Sequence, residues 1–199
     1  MLYMSKFIDI IKSKDKTKHD KLAEILAIII KENDIKPDSY FILGSYALRE
    51  ARTINDLDIN MDYDEFTKLP KEYGKVEQYN NQIRWFFDLT DLYREHADSQ
   101  ANDFSIEIFQ KKPFEGYPDE KYSLKYLKDT NGLSKDKFGH QFFSLETLIK
   151  WKTQMGRAKD KPDIELANRL LQLGGGNNYK YKYMKYKTLY LNLKNKQMH

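Results

Sequence analysis

Apolar residues recur at three- and four-residue steps between Lys18 and Glu32, at Leu22, Ile25, Leu26, Ile29 and Ile30. This spacing predicts a helix with one buried face. Pro37 and Asp38 break it, and SYFILGS (39–45) then predicts a short buried strand ending at Gly44, followed by a short helix over ALREA (47–51). In DLDINMDY (56–63) the pattern switches to strict alternation, with Leu57, Ile59 and Met61 on one face and Asp56, Asp58, Asn60 and Asp62 on the other. That is the signature of a half-buried strand with an acidic outer face. A charged stretch over 64–73 follows with helical character, then QIRWFFDLTDL (82–92) predicts a strand and FSIEIF (104–109) its hairpin partner. From Ser123 onward the pattern predicts helices in KYSLKYLKD (121–129), SLETLIKWKTQM (144–155) and PDIELANRLLQL (162–173). Gly174, Gly175 and Gly176 end the last of them.

The order of elements predicts an α/β or α+β fold, a small mixed sheet flanked by helices with a C-terminal helical segment. Three parts are expected: a core over 1–122, a helical part of the same domain over 123–173, and a Gly/Asn hinge with a basic tail over 174–199. The length of 199 residues suits one domain with a small annex. Hydrophobic residues make up 40% of the chain, enough for a core, while 32% charge makes the surface strongly polar. No apolar run is long enough to span a bilayer, and MLYMSKFIDIIKSKDK lacks a cleavage site, so a cytoplasmic protein with no membrane contact is expected. With no cysteine, disulfides, thiolate zinc sites and cysteine nucleophiles are excluded. The net charge of +4 belongs to the tail, whose six lysines stand with no acid. Without them 28 basic residues face 30 acidic ones, a body near −2.

Asp56 and Asp58 therefore stand side by side on one strand face, where two anions repel unless a cation compensates them. Hard oxygen ligands suit Mg2+ or Mn2+, which complete their shells with water and substrate phosphates. A third carboxylate is expected from Glu107, turned opposite to Ile106 and Ile108, with Asp88 as its rival. Gly44 and Ser45 add a turn at which backbone can approach a phosphate closely, with a hydroxyl beside it. Each motif alone is compatible with ordinary structure, a capped turn or a solvated strand face. Together they point to nucleotidyl transfer with a divalent metal.

GSYALREARTINDLDI (44–59) resembles the signature of the DNA polymerase beta-like nucleotidyltransferase superfamily: a Gly-Ser turn, about ten residues, then Asp-hydrophobic-Asp. SLETLIKWKTQMGRAKDKPDIELANRLL is similar to the C-terminal segment of small nucleotidyltransferases of the abortive-infection and antitoxin type. The resemblance implies a nucleoside triphosphate substrate and a divalent ion. It implies Gly44 and Ser45 near the triphosphate, Asp56, Asp58 and Glu107 on the metal, and Lys152 on the phosphates. The third carboxylate of such families is more often aspartate, and 64–102 matches none of their motifs.

Lys152 interrupts the apolar stripe of Leu145, Leu148, Ile149 and Met155, as a snorkelling lysine or as an ammonium held for phosphate. Arg157 either pairs with Asp160 or reaches the triphosphate; Asp160 is expected to cap the next helix and Asp163 to face its dipole. His19, His96, His140 and His199 show no metal-ligand spacing and are expected at the surface or in loops. In the tail, Tyr179, Tyr183, Tyr186, Tyr190 and Leu193 follow coiled-coil spacing, which predicts docking or self-association, while its lysines and tyrosines also suit nucleic acid. YKYKYMKYKTLYLNLK resembles Tyr/Lys-rich segments of giant DNA virus proteins, implying a shared appendage and a virus-infected cytoplasm or virion. The expected activity is transfer of a nucleoside monophosphate to a hydroxyl of RNA or tRNA, a protein side chain or a small molecule. The alternative is an inactive member of the same fold that binds nucleotide or a partner.

Overall fold

The computed structural model describes residues 2–79, 82–111 and 124–173. The tail lies outside these residues. Seven strands form one mixed sheet: β1 (Tyr40–Ile42), β2 (Asp56–Asp62), β3 (Lys75–Tyr79), β4 (Gln82–Asp88), β5 (Ser105–Lys111), β6 (Leu133–Lys135) and β7 (Gln141–Phe143), in the order β3-β4-β5-β2-β1-β7-β6. The β2–β5 and β1–β7 pairs are parallel and the others antiparallel. The helices are α1 (Leu2–Lys12), α2 (Lys18–Glu32), α3 (Tyr63–Phe66), α4 (Thr90–His96), α5 (Leu124–Asp129), α6 (Leu145–Met155) and α7 (Lys161–Gln172). The fold is thus the expected mixed sheet with flanking helices. No helix among the described residues is long and apolar enough to cross a membrane.

Alternation along the strands builds two separate cores. Leu57, Ile59 and Met61 of β2, Ile106 and Ile108 of β5, and Trp85 and Phe87 of β4 turn to one side and pack with α1 and α2 through Phe7, Ile11, Leu22, Ile25 and Leu26. On the opposite side Phe41 and Phe143 meet Leu124, Leu127, Leu148, Ala167 and Leu170 of α5, α6 and α7. That second core covers the β1 and β7 end of the face. Its continuation over β2, β5 and β4 carries the polar members of each strand together with Phe86 and Phe109.

Several expectations change. The segment 123–173 is not wholly helical, because β6 and β7 join the same sheet. ALREA is not an α-helix; a 3-10 helix spans Gly44–Leu48 instead. Helix over 64–73 shrinks to the four residues of α3. The strands β4 and β5 do pair, but α4 fills the connection, so LTDL is helix start and not strand. His19 is buried within α2, at 8% exposure, where a surface or loop position was expected, and His140 lies in the β6–β7 loop but is buried there, at 2%. His140 Nε2 donates to the Ala23 carbonyl at 2.9 Å and its Nδ1 accepts from the Tyr40 hydroxyl at 2.6 Å, a pairing that suits the neutral ring.

Candidate active site

The site follows from the register of four strands. Asp58 lies opposite Glu107, which lies opposite Phe86, which lies opposite Lys75, so one line of side chains crosses β2, β5, β4 and β3 on the same face. The neighbouring line holds Asp56, Ser105 and Asp88. The chain reaches this face from β1 through Gly44, whose φ of +63° lies in the left-handed region that favours glycine. Leu43 donates its backbone N–H to the Asp58 carbonyl at 2.7 Å, tying the turn to β2. A side-chain carbon at Gly44 would sit 3.5 Å from Asp58 Oδ2, so the missing side chain leaves the carboxylate uncovered there.

The electrostatics of the two aspartates are unbalanced. Burial, then the charges of Asp56, Glu107 and Asp103, push the Asp58 carboxyl up to about 7, against a weaker pull from Lys152. Burial and the Asp103 charge raise Asp56 as well, with Arg52 and Lys18 pulling the other way. Among the described residues no ion pair engages either carboxylate. Asn60 follows on the same face, and its buried Oδ1 has no hydrogen-bond partner. The two crowded carboxylates are hard oxygen donors of the kind that suits Mg2+ or Mn2+. Glu107 faces the same way, but Arg84 Nη1 lies 2.5 Å from its Oε2. No group of three acidic or histidine side chains among the described residues converges closely enough to hold an ion as placed. The donor set is therefore Asp56 and Asp58, with Glu107 engaged beside it. Asp88 is exposed, and its Oδ1 accepts from the Thr90 backbone N–H at the start of α4.

Ser45, Lys152 and Arg157 meet in a second constellation against the turn. Lys152, 4% exposed, has its Nζ 2.7 Å from Asp160 Oδ1 and 3.0 Å from Asp163 Oδ2. Neither snorkelling nor free ammonium describes it. Asp163 Oδ2 also accepts from the Ser45 hydroxyl at 2.8 Å, and Asp163 Oδ1 pairs with Arg52. Arg157 Nε donates to Asp160 Oδ2 at 2.6 Å. The expected helix-capping role of Asp160 is absent, since its side chain makes no cap bond. It is the buried counterion of Lys152 and Arg157, which hold its carboxyl below the usual range against burial. Because Ser45 donates its only hydroxyl hydrogen to Asp163, it presents lone pairs elsewhere. The cation of this group most open to solvent on the Asp163 side is Arg52, 44% exposed.

The structure thus brings Gly44, Asp56, Asp58 and Glu107 to one face and links Ser45, Lys152 and Arg157 through Asp160 and Asp163. Arg52, Arg84, Asp103 and the pairing role of Asp163 escaped the sequence analysis. Only a buried lysine's need for counterions pointed to the last of these. A cavity of about 390 Å³ lies elsewhere, between α5 and the start of α6, lined by Tyr126, Asn131, Thr147 and Lys150. It contains none of the clustered aspartates, so charge and not volume locates the site. Comparisons with protein-family models, curated proteins and solved structures give no match.

Proposed function

We propose that this protein is a metal-dependent nucleotidyltransferase that moves a nucleoside monophosphate from a triphosphate to an acceptor hydroxyl. The observation that carries the proposal is the pair Asp56 and Asp58, uncompensated and half-buried, beside the left-handed turn at Gly44. A divalent ion held there by Asp56 and Asp58 would neutralise phosphate charge and polarise the phosphorus centre. Gly44 gives the triphosphate access to Asp58, and Arg52 supplies positive charge at the same turn. In the reaction the acceptor oxygen bonds to the α-phosphorus and the bond to the α,β-bridging oxygen breaks. Pyrophosphate leaves with that electron pair, and the acceptor proton passes to water.

The test is incubation of the full chain with each α-labelled triphosphate, Mg2+ or Mn2+, and total RNA or cell lysate. Label is expected in acid-insoluble product only with the divalent ion, and none in the Asp56→Asn/Asp58→Asn double variant. Equal labelling by that variant would refute the site. The engagement of Glu107 by Arg84 favours a second reading, a nucleotide-binding module without turnover. It predicts triphosphate binding by calorimetry with no label transferred.

A further inference from the structure

The order of groups across the sheet separates the two sides of such a reaction. Phosphoryl displacement places the entering and leaving oxygens roughly in line, on opposite sides of phosphorus. The Gly44 turn, where the triphosphate enters, follows β1 and lies on one flank of Asp58. On the other flank the same face runs through Glu107 of β5 to Phe86 and Arg84 of β4 and Lys75 of β3. With pyrophosphate leaving over β1, the attacking hydroxyl comes from the β5 and β4 side.

That flank is built for a flat group. Phe86 is half-buried on the polar face and belongs to neither apolar core. The Arg84 guanidinium lies 4.7 Å from its ring centroid and is fixed in place by Glu77 and Glu107. An immobilised ring and guanidinium offer the surfaces on which unpaired bases stack. Two strand spacings, about 10 Å, separate Asp58 from Phe86, a distance that one nucleoside bridges from its base to its sugar hydroxyl. Lys75 is exposed on the same line beyond Phe86, placed for the phosphate of the preceding nucleotide.

We infer that the acceptor is the 3′ end of a single-stranded nucleic acid, its terminal base stacked on Phe86 and Arg84 and its hydroxyl directed past Glu107 toward Asp58. This inference rests on the nucleotidyl-transfer reading. The test uses the full chain and a short single-stranded RNA carrying a 5′ fluorophore, followed by anisotropy with Mg2+ and no triphosphate. Phe86→Ala is expected to weaken binding about ten-fold or more, the effect of one lost base stack. Phe86→Leu, which keeps apolar bulk, stays weak, and Phe86→Tyr restores affinity. Lys75→Ala lowers the salt dependence by about one phosphate contact. Thermal melting of each variant controls for folding. In the labelling assay RNA is the labelled product, and its yield falls in the same order. Absence of RNA binding, binding indifferent to Phe86→Ala and Phe86→Leu, or label confined to protein overturns the inference. In the last case transfer itself still stands. Phe86-dependent RNA binding with no label in any acceptor would instead overturn transfer and leave the stacking surface in place.

Discussion

The Asp58 carboxylate makes the sharpest prediction, because its charge is a liability until a cation arrives. Its carboxyl is raised from 3.8 to about 7 by burial and by the neighbouring Asp56, Glu107 and Asp103. In the folded state it binds a proton more tightly than in the unfolded chain, so its contribution to stability is fully present below about pH 4. That contribution is lost as pH rises through about 7. Three pH units correspond to about 4 kcal/mol, and water at this half-buried side chain reduces the effect to about 2 kcal/mol. Asp58→Asn keeps the shape and removes the charge. In EDTA at pH 8 the variant is expected to melt about 4 to 8 °C above the wild type, and at pH 4 to match it. Saturating Mg2+ is expected to raise the wild type toward the variant and leave the variant unmoved. The assay is differential scanning calorimetry of both proteins over pH 4 to 8. A variant less stable at pH 8, or a difference that does not change with pH, refutes the reasoning.

Three further changes probe the turn and the core behind the sheet. Lys152→Met leaves Asp160 and Asp163 buried without their ammonium and is expected to cost about 3 kcal/mol in urea denaturation; a loss below about 1 kcal/mol would show that the two arginines suffice. Gly74→Ala would set a carbon 2.1 Å from Cε2 of Trp85, a fully buried ring whose Nε1 donates to the Pro70 carbonyl, and is expected to cost about 3 kcal/mol by the same denaturation. Arg52→Gln removes the exposed cation at the Gly44 turn and is expected to raise KM for the triphosphate about ten-fold with kcat less affected. An unchanged KM would remove Arg52 from the phosphate path.

What could be read beforehand divides along a physical line. The strand carrying Asp56 and Asp58 was legible because alternation over seven residues admits one arrangement of faces, and β2 shows it without exception. Glu107 was legible for the same reason, and parallel pairing then sets it opposite Asp58. The short buried strand expected in SYFILGS is β1, marked by its apolar run between Pro37 and Gly44, but β6 and β7 are three residues each, too short for a period, and β7 is buried throughout. Alternation cannot appear where both faces are covered. KVEQY in β3 is a polar strand at one edge of the sheet and carries no core signal. The long-range bonds were out of reach altogether: Ser45 and Asp163 are 118 residues apart, and only the packing of α7 against the turn joins them. The helix α1 is different, since Phe7, Ile10 and Ile11 carry helical spacing and its buried face is legible in the sequence.

The two constellations around the turn are opposite in sign, and that contrast bears on how metal and triphosphate would bind. Arg52, Lys152 and Arg157 face Asp160 and Asp163, leaving one positive charge in excess beside Ser45. Across the turn Asp56 and Asp58, once ionised, carry two negative charges that no ion pair relieves, while Arg84 and Lys18 address Glu107 and the loop at Asp103. A divalent ion cancels the aspartate pair; a polyanion arriving at Gly44 then meets the positive excess. Neither event alone balances the site, because the ion without phosphate leaves net positive charge and phosphate without the ion meets two carboxylates. Metal and triphosphate are therefore expected to bind cooperatively, each lowering the electrostatic cost that the other faces. The Asp163 carboxylate is the expected link between them, for it engages Ser45, Arg52 and Lys152 together, and an anion bound at the turn would compete with it for those groups.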